Sequence, residues 1–154
     1  MPEKKDSEGR DVAVNRRAYH DYFVDETYEC GVVLTGSEVK SIRGGRCNLR
    51  DGFVRVDGTA AWLENVHISP YVQANLMNHE PMRPRKLLLH RKQIASLIGK
   101  VRQKGYTLIP LRVYFKRNHA KVEVGLCRGK RQFDKRQAMA ERDAKREIER
   151  AVRR

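Results

Sequence analysis

From Tyr22 to Leu34 apolar side chains return at every second residue, and no other pattern in the chain restricts its fold as tightly. Tyr22, Val24, Tyr28, Cys30, Val32 and Leu34 fall on one side, with Glu26 as the polar exception. Asp21, Asp25, Thr27 and Glu29 fall on the other. A two-residue period sustained over that length predicts a long half-buried strand, and Gly31 lets it bend as a barrel strand must. The same rhythm recurs later. Ile109, Leu111, Val113 and Phe115 alternate with Arg112, Tyr114 and Lys116; beyond Arg117-Asn118-His119, Val122, Val124 and Leu126 alternate with Lys121, Glu123 and Gly125. These read as two neighbouring strands. A fourth strand is expected over 53–56, turning at Asp57-Gly58 into a fifth from about Ala60 to Ile68, with Trp62, Val66 and Ile68 facing inward.

Two helices interrupt this pattern. Thr35-Gly36-Ser37-Glu38 fits a capping box. Val39 and Ile42 then share a face, and Gly44-Gly45 stops the turn, so 36–43 is a short helix with Lys40 and Arg43 outward. Ile94, Leu97, Ile98 and Val101 keep helical spacing over about 90–104, and Gly105 ends it. Residues 69–86 hold Pro70, Pro81 and Pro84 and read as a long irregular connection. Five strands with a helix between the third and fourth match the order of an OB barrel. The fold class is therefore mainly β: an OB-like antiparallel β-barrel with peripheral helices. Residues 1–14 read as a flexible polar arm, 15–127 as the barrel, and 128–154 as a basic tail.

Charge narrows the function. The 154 residues carry 33 Lys and Arg against 19 Asp and Glu, a net +14, which a compact monomer holds poorly without an acidic partner. Residues 1–80 are net −3, 81–127 net +11 and 128–154 net +6. Between Glu80 and Glu123 lie 12 cations and no carboxylate. A solvated face mixes both signs, so this block reads as a footprint for phosphate. A membrane is the weaker partner: no run approaches the ~20 apolar residues that span a bilayer. The N-terminal stretch MPEKKDSEGRDVAVNRR lacks the apolar segment of a signal peptide, so the expected location is cytoplasmic.

Catalytic signatures are missing. The five histidines lie in different segments with none paired at helical metal spacing, and no phosphate loop or nucleophile elbow appears. Asp51 and Asp57 each precede glycine and read as turn residues. The three cysteines, Cys30, Cys47 and Cys127, suggest neither a disulfide framework nor zinc. The expectation is a protein that is not an enzyme and needs no metal or cofactor. The last 27 residues are rich in helix formers, with a thin apolar stripe of Ala140, Ala144, Ile148, Ala151 and Val152. Alanine buries little, so the tail reads either as disordered alone and helical on a polyanion, or as an ordinary surface helix with paired charges.

Three segments, NRRAYHDYFVDETYECGVVLTGSEVKSIRGG (15–45), RKLLLHRKQI (85–94) and KVEVGLCRGKRQFDKR (121–136), together resemble the SsrA-binding protein (SmpB) family. The resemblance runs from about Asn15 through the end. It implies a role in trans-translation, the bacterial rescue of ribosomes stalled on mRNA without a stop codon. The partner is transfer-messenger RNA (tmRNA), gripped through its tRNA-like domain and delivered with elongation factor Tu and GTP into the vacant A site. By the same resemblance Asn15, Arg16, Glu29, Lys40 and Arg43 lie beside the RNA, with Arg85, Lys86 and Leu89. Asn15 is then expected to bond a base edge or ribose hydroxyl. Glu29, on its own a solvated strand residue, is expected to accept from a base amino group or hold a basic side chain in place. The tail residues Lys130, Arg131, Phe133, Asp134, Lys135 and Arg136 are implied to meet small-subunit RNA at the decoding centre and in the empty mRNA channel. Phe133 stands where many relatives carry His or Tyr. Its ring retains the face needed for stacking on a base but not a polar hydrogen, and it also suits pinning the tail to the barrel.

Overall fold

The computed structural model describes residues 11–103, 105–130 and 132–152, without the side chains of 75, 76 and 132–141. The elements, in order, are β1 (Asp11–Val14), α1 (Arg16–Asp21), β2 (Tyr22–Val32), α2 (Gly36–Arg43), β3 (Cys47–Asn48), β4 (Phe53–Asp57), β5 (Ala60–Glu64) and β6 (His67–Ile68). A 3-10 turn over Val72–Met77, β7 (Arg85–Leu88), α3 (Arg91–Val101), β8 (Tyr106–Lys116), β9 (His119–Gly129) and α4 (Gln132–Val152) follow. All pairings are antiparallel, and they return on themselves: β8 to β4, β5, β7, β2, β9 and back to β8. The expected mainly β architecture is present, and ring closure leaves no free edge among those six strands. Cys30, Leu63, Leu87, Leu97, Leu108, Val113, Val122 and Val124 fill the core, with Leu97 contributed by α3 across one end.

The short helix follows its local signals. Thr35 Oγ1 caps the Glu38 N–H while the Glu38 carboxylate accepts from the Thr35 N–H. At the far end Gly45 has φ +75°, and the Gly45 and Arg46 N–H groups close onto the Ile42 and Ser41 carbonyls. This is a Schellman motif that a residue with a Cβ forms at a cost.

Several expectations change. Asp11–Val14, expected in the arm, form β1 and add to the edge of β8 that β4 also uses; residues 1–10 lie outside the described set. The return strand does not run unbroken to Ile68. Asn65 adopts φ +59°, ending β5, and His67–Ile68 instead pair with Cys47–Asn48. The proline-bearing connection ends earlier than expected, because Arg85–Leu88 form β7 between β5 and β2.

The long alternations are also split. In β2 the register shifts between Val24 and Glu26, and in β8 between Pro110 and Arg112. Each bulge moves the following residues to the opposite face. Tyr22 and Val24 therefore pack, with Ile109, Leu111, Cys127 and Ala18 of α1, into a small second cluster outside the ring. Tyr28 and Val32 pack against the main core. Gly125 leaves the space that Leu111 occupies: a Cβ there would sit 2.8 Å from Leu111 Cδ1.

Candidate nucleic-acid interface

At the end of the ring where β2 leaves for α2, Gly31 pairs with Leu88 of β7. A Cβ on Gly31 would lie 3.2 Å from the Leu88 side chain, so glycine permits the close approach. Leu88 is itself 54% exposed. Three adjoining concavities share residues here. One is floored by Gly31, Val32, Leu88 and Val39 of α2; a second reaches Leu89, His90 and Gln93; a third is bounded by Glu29, Lys116, Arg117 and His119. Lys121 lines all three. The result is a shallow groove with an apolar floor and a cationic rim.

α2 supplies one rim. Lys40 and Arg43 are exposed, and each lies near an aromatic face: Lys40 Nζ is 5.4 Å from the Tyr71 ring centre and the Arg43 guanidinium 5.4 Å from that of Phe115. The helix is anchored from beneath by Glu38, which is fully buried. Glu38 Oε2 accepts from Arg85 Nε at 2.5 Å and Oε1 from Arg83 Nη2 at 2.5 Å. Burial alone would push the Glu38 carboxyl up, but bonds from Arg83, the Thr35 N–H and Arg85 more than offset it and hold it below the usual carboxylate range. Ser37 and His79 add a second tie. The two share a 2.8 Å bond, and His79 Nε2 donates to the Ile68 carbonyl, so Nδ1 accepts from the Ser37 hydroxyl.

Glu29 stands where the concavities meet. Tyr114 donates its hydroxyl to Glu29 Oε2, and Lys116 Nζ lies 3.4 Å from Oε1. The Tyr114 bond, helped by Lys116 and Lys121, holds the Glu29 carboxyl below its ordinary range despite partial burial. Glu29 is thus ionised and faces the basic side chains of Lys116 and Lys121.

Among the expected RNA-facing residues, Arg16, Glu29, Lys40, Arg43 and Lys86 are exposed; Glu29 lines the groove, and Lys40 and Arg43 lie on α2, whose Val39 lines it too. Three others are less exposed. Asn15 is buried: its Oδ1 accepts from the Ala18 N–H, and its Nδ2 donates to the Leu49 and Pro110 carbonyls. Both amide hydrogens are committed, so Asn15 caps α1 and ties three segments together. Arg85 is fully buried, bonded to Glu38 and to the Val66 and Pro81 carbonyls; it supports α2 from below. Leu89 is half-buried, packing against the core while lining the second concavity, and its neighbour Leu88 is the more exposed. The reading of the sequence missed Leu88, Tyr114, Lys116, Arg117, His119 and Lys121. The outward phase of the 112–116 alternation and the tip at 117–118 held the signal.

Lys130 emerges from β9 with its N–H on the Asp21 carbonyl and its ammonium 4.9 Å from the Phe23 ring centre. Arg131 lies outside the described residues. Phe133, Asp134, Lys135 and Arg136 fall within α4, but their side chains lie outside the described set. The described side chains of α4, from Arg142 to Val152, are all exposed, including Ile148 at 64%. The tail is helical from Gln132 to Val152. No helix among the described residues is long and apolar enough to cross a membrane. Burial pushes the Cys30 thiol up to about 12, and the Cys47 and Cys127 thiols up to about 11.

The family model for the SmpB protein matches residues 12–154. The chain belongs to the SmpB family. The SsrA-binding protein of Carboxydothermus hydrogenoformans is 60% identical over 142 residues, covering 92% of this chain and 95% of that protein. Those of Shouchella clausii and Roseiflexus castenholzii are 57% and 59% identical, covering 95% and 93% of this chain and 94% and 91% of theirs. A chain in a solved structure described as "tmRNA-SmpB: a journey to the center of the bacterial ribosome" is 47% identical, with a TM-score of 0.67 over 82% of this chain and 93% of that one. The SmpB resemblance carried by the three sequence segments is therefore correct. The family match begins inside β1, so it spans the closed sheet and α4 together.

Proposed function

We propose that the protein is the tmRNA-binding adaptor of trans-translation and acts by binding, not by catalysis. The groove end of the barrel grips the tRNA-like domain of tmRNA, and the pair, carried by elongation factor Tu with GTP, enters the A site of a stalled ribosome. Lys130, Arg131 and α4 then run into the empty mRNA channel. Phe133 stacks on a small-subunit base at the decoding centre, and Asp134, Lys135 and Arg136 follow it.

One observation carries this reading. Among the described residues the exposed Lys40, Arg43, Lys86 and Arg117 and the half-buried Lys121 form no ion pair, so the fold itself does not neutralise them. Unneutralised cations beside the Gly31–Leu88 groove suit a polyanion, because phosphate binding releases counterions. The bare apolar floor suits the faces of unstacked bases. The relatives' name and the description of the solved neighbour support tmRNA as that polyanion.

Ending the chain at Phe133 tests the division of work. Affinity for a transcript of the tRNA-like domain should stay within about twofold and fall steeply as salt rises, while peptide tagging on stalled ribosomes is abolished. Equal loss of both activities, or affinity indifferent to salt, would overturn the proposal.

A further inference from the structure

Glu29 and Glu123 are directly opposed across β2 and β9, an arrangement of like charges that a sheet disfavours. The structure parts them. Arg112 Nε takes Glu123 at 2.5 Å, and Arg112 Nη1 takes Asp11 at 2.7 Å. The same guanidinium lies 4.2 Å from the Tyr114 ring centre, holding that ring by its face. Tyr114 is only 4% exposed, and its hydroxyl is spent on Glu29. Lys116, the other neighbour, is half exposed at 3.4 Å, so water screens it and its long stem leaves the contact loose. Of the two groups that touch Glu29, Tyr114 is the rigid one.

We propose that Tyr114 is the positioning residue for the groove: it turns the Glu29 carboxylate away from Glu123 and fixes it at the rim, where it accepts from the N–H donors of an unpaired RNA base. The inference rests on the RNA-binding reading above. Glu29 holds Lys116 at the rim, and the pair leaves part of the carboxylate free. It repels phosphate, but its remaining lone pairs match an amino or imino edge. Each oxygen retains acceptor capacity after the bonds from Tyr114 and Lys116. Uracil and cytosine offer fewer such hydrogens than guanine, so the site favours a guanine edge.

The other ionisable groups facing Glu29 are Lys116 on β8, Lys121, Glu123 and His119 on β9, Arg117 in the turn, and His90 at the start of α3. Because several titrate, the test isolates Glu29 directly. The Glu29 carboxyl is followed by NMR through an acid titration in the wild type and in Tyr114→Phe, and affinity for a transcript of the tRNA-like domain is measured for both proteins and for each combined with Glu29→Gln. The midpoint of Glu29 should rise in Tyr114→Phe, and affinity should drop about tenfold. With Glu29→Gln already present, Tyr114→Phe should change affinity by less than about twofold. An unchanged midpoint, or an equal loss in both backgrounds, overturns the proposal. Replacing Tyr114 with 3-fluorotyrosine keeps the ring and strengthens the donor, and should lower the midpoint instead; a rise would count against it. A wild type that fails to bind the transcript refutes the RNA reading, while the NMR midpoint still decides whether Tyr114 orients Glu29.

Discussion

Replacing Glu38 with alanine should be among the most damaging single changes in the barrel. Both carboxylate oxygens are engaged: Oε1 by the Thr35 N–H at 2.9 Å and by Arg83, Oε2 by Arg85. Alanine leaves the fully buried Arg85 with its Nε unpaired. Removing one partner of a buried pair costs about 3–5 kcal/mol, of which the lost capping bond, at about 0.5–2 kcal/mol, is the smaller part. In a domain stable by roughly 5–15 kcal/mol, a loss of about 4 kcal/mol lowers Tm by about 8–16 °C. Urea unfolding reports it through Trp62, the one tryptophan, which sits in β5 with Arg55 over its ring. Glu38→Gln, which keeps an acceptor but not the charge, should lose less. The acid limb supplies an independent check. The folded carboxyl is held below the unfolded value near 4.3, so its contribution is complete above about pH 4.3 and disappears as pH falls through the folded midpoint. Glu38→Ala should flatten that part of the stability–pH curve. A destabilisation under about 1 kcal/mol with an unchanged acid limb would refute the view that this pair anchors α2.

Asn15→Ala should cost about 1–3 kcal/mol, from the lost cap and the lost bonds to the Pro110 and Leu49 carbonyls, the second of which keeps the Gly52 N–H, and should weaken RNA binding only as far as it unfolds the protein; calorimetry and binding at low temperature separate the two. Gly125→Ala should destabilise by about 1–3 kcal/mol, because the new methyl meets Leu111, and urea midpoints measure it. The three thiols should resist an aromatic disulfide reagent at pH 8 until the chain is unfolded. Their folded values of about 11 to 12 lie above the ordinary 9.0. Unfolding therefore releases protons above pH 9, and stability should decline from there as pH rises towards 11.

Most of the fold and part of the interface were legible in the sequence. The rhythm of 22–34 and 109–126 exposed the long strands, and the Thr35–Glu38 box with Gly44-Gly45 fixed α2 to the residue. Lys40, Arg43 and Glu29 were recognisable because a motif carried them. The burial of Asn15 and Arg85 was not legible, for one reason. A polar letter in a motif does not say whether its hydrogens meet solvent or a carbonyl dozens of residues away, and here they meet Leu49, Pro110, Val66 and Pro81.

By itself the chain determined what depends on near neighbours: which segments are strands or helices, where α2 starts and stops, how positive charge gathers after residue 80, and that the tail favours a helix. Only the tertiary structure decided what depends on distant partners. The bulges beside Asp25 and Leu111 arise from pairing with β9, and they send Tyr22 and Ile109 to a second cluster that no local period reveals. Leu88 becomes a groove floor because β7 lies beside Gly31. A cation stays unneutralised only when the folded sheet brings no carboxylate to it, and that is a matter of strand order rather than of composition.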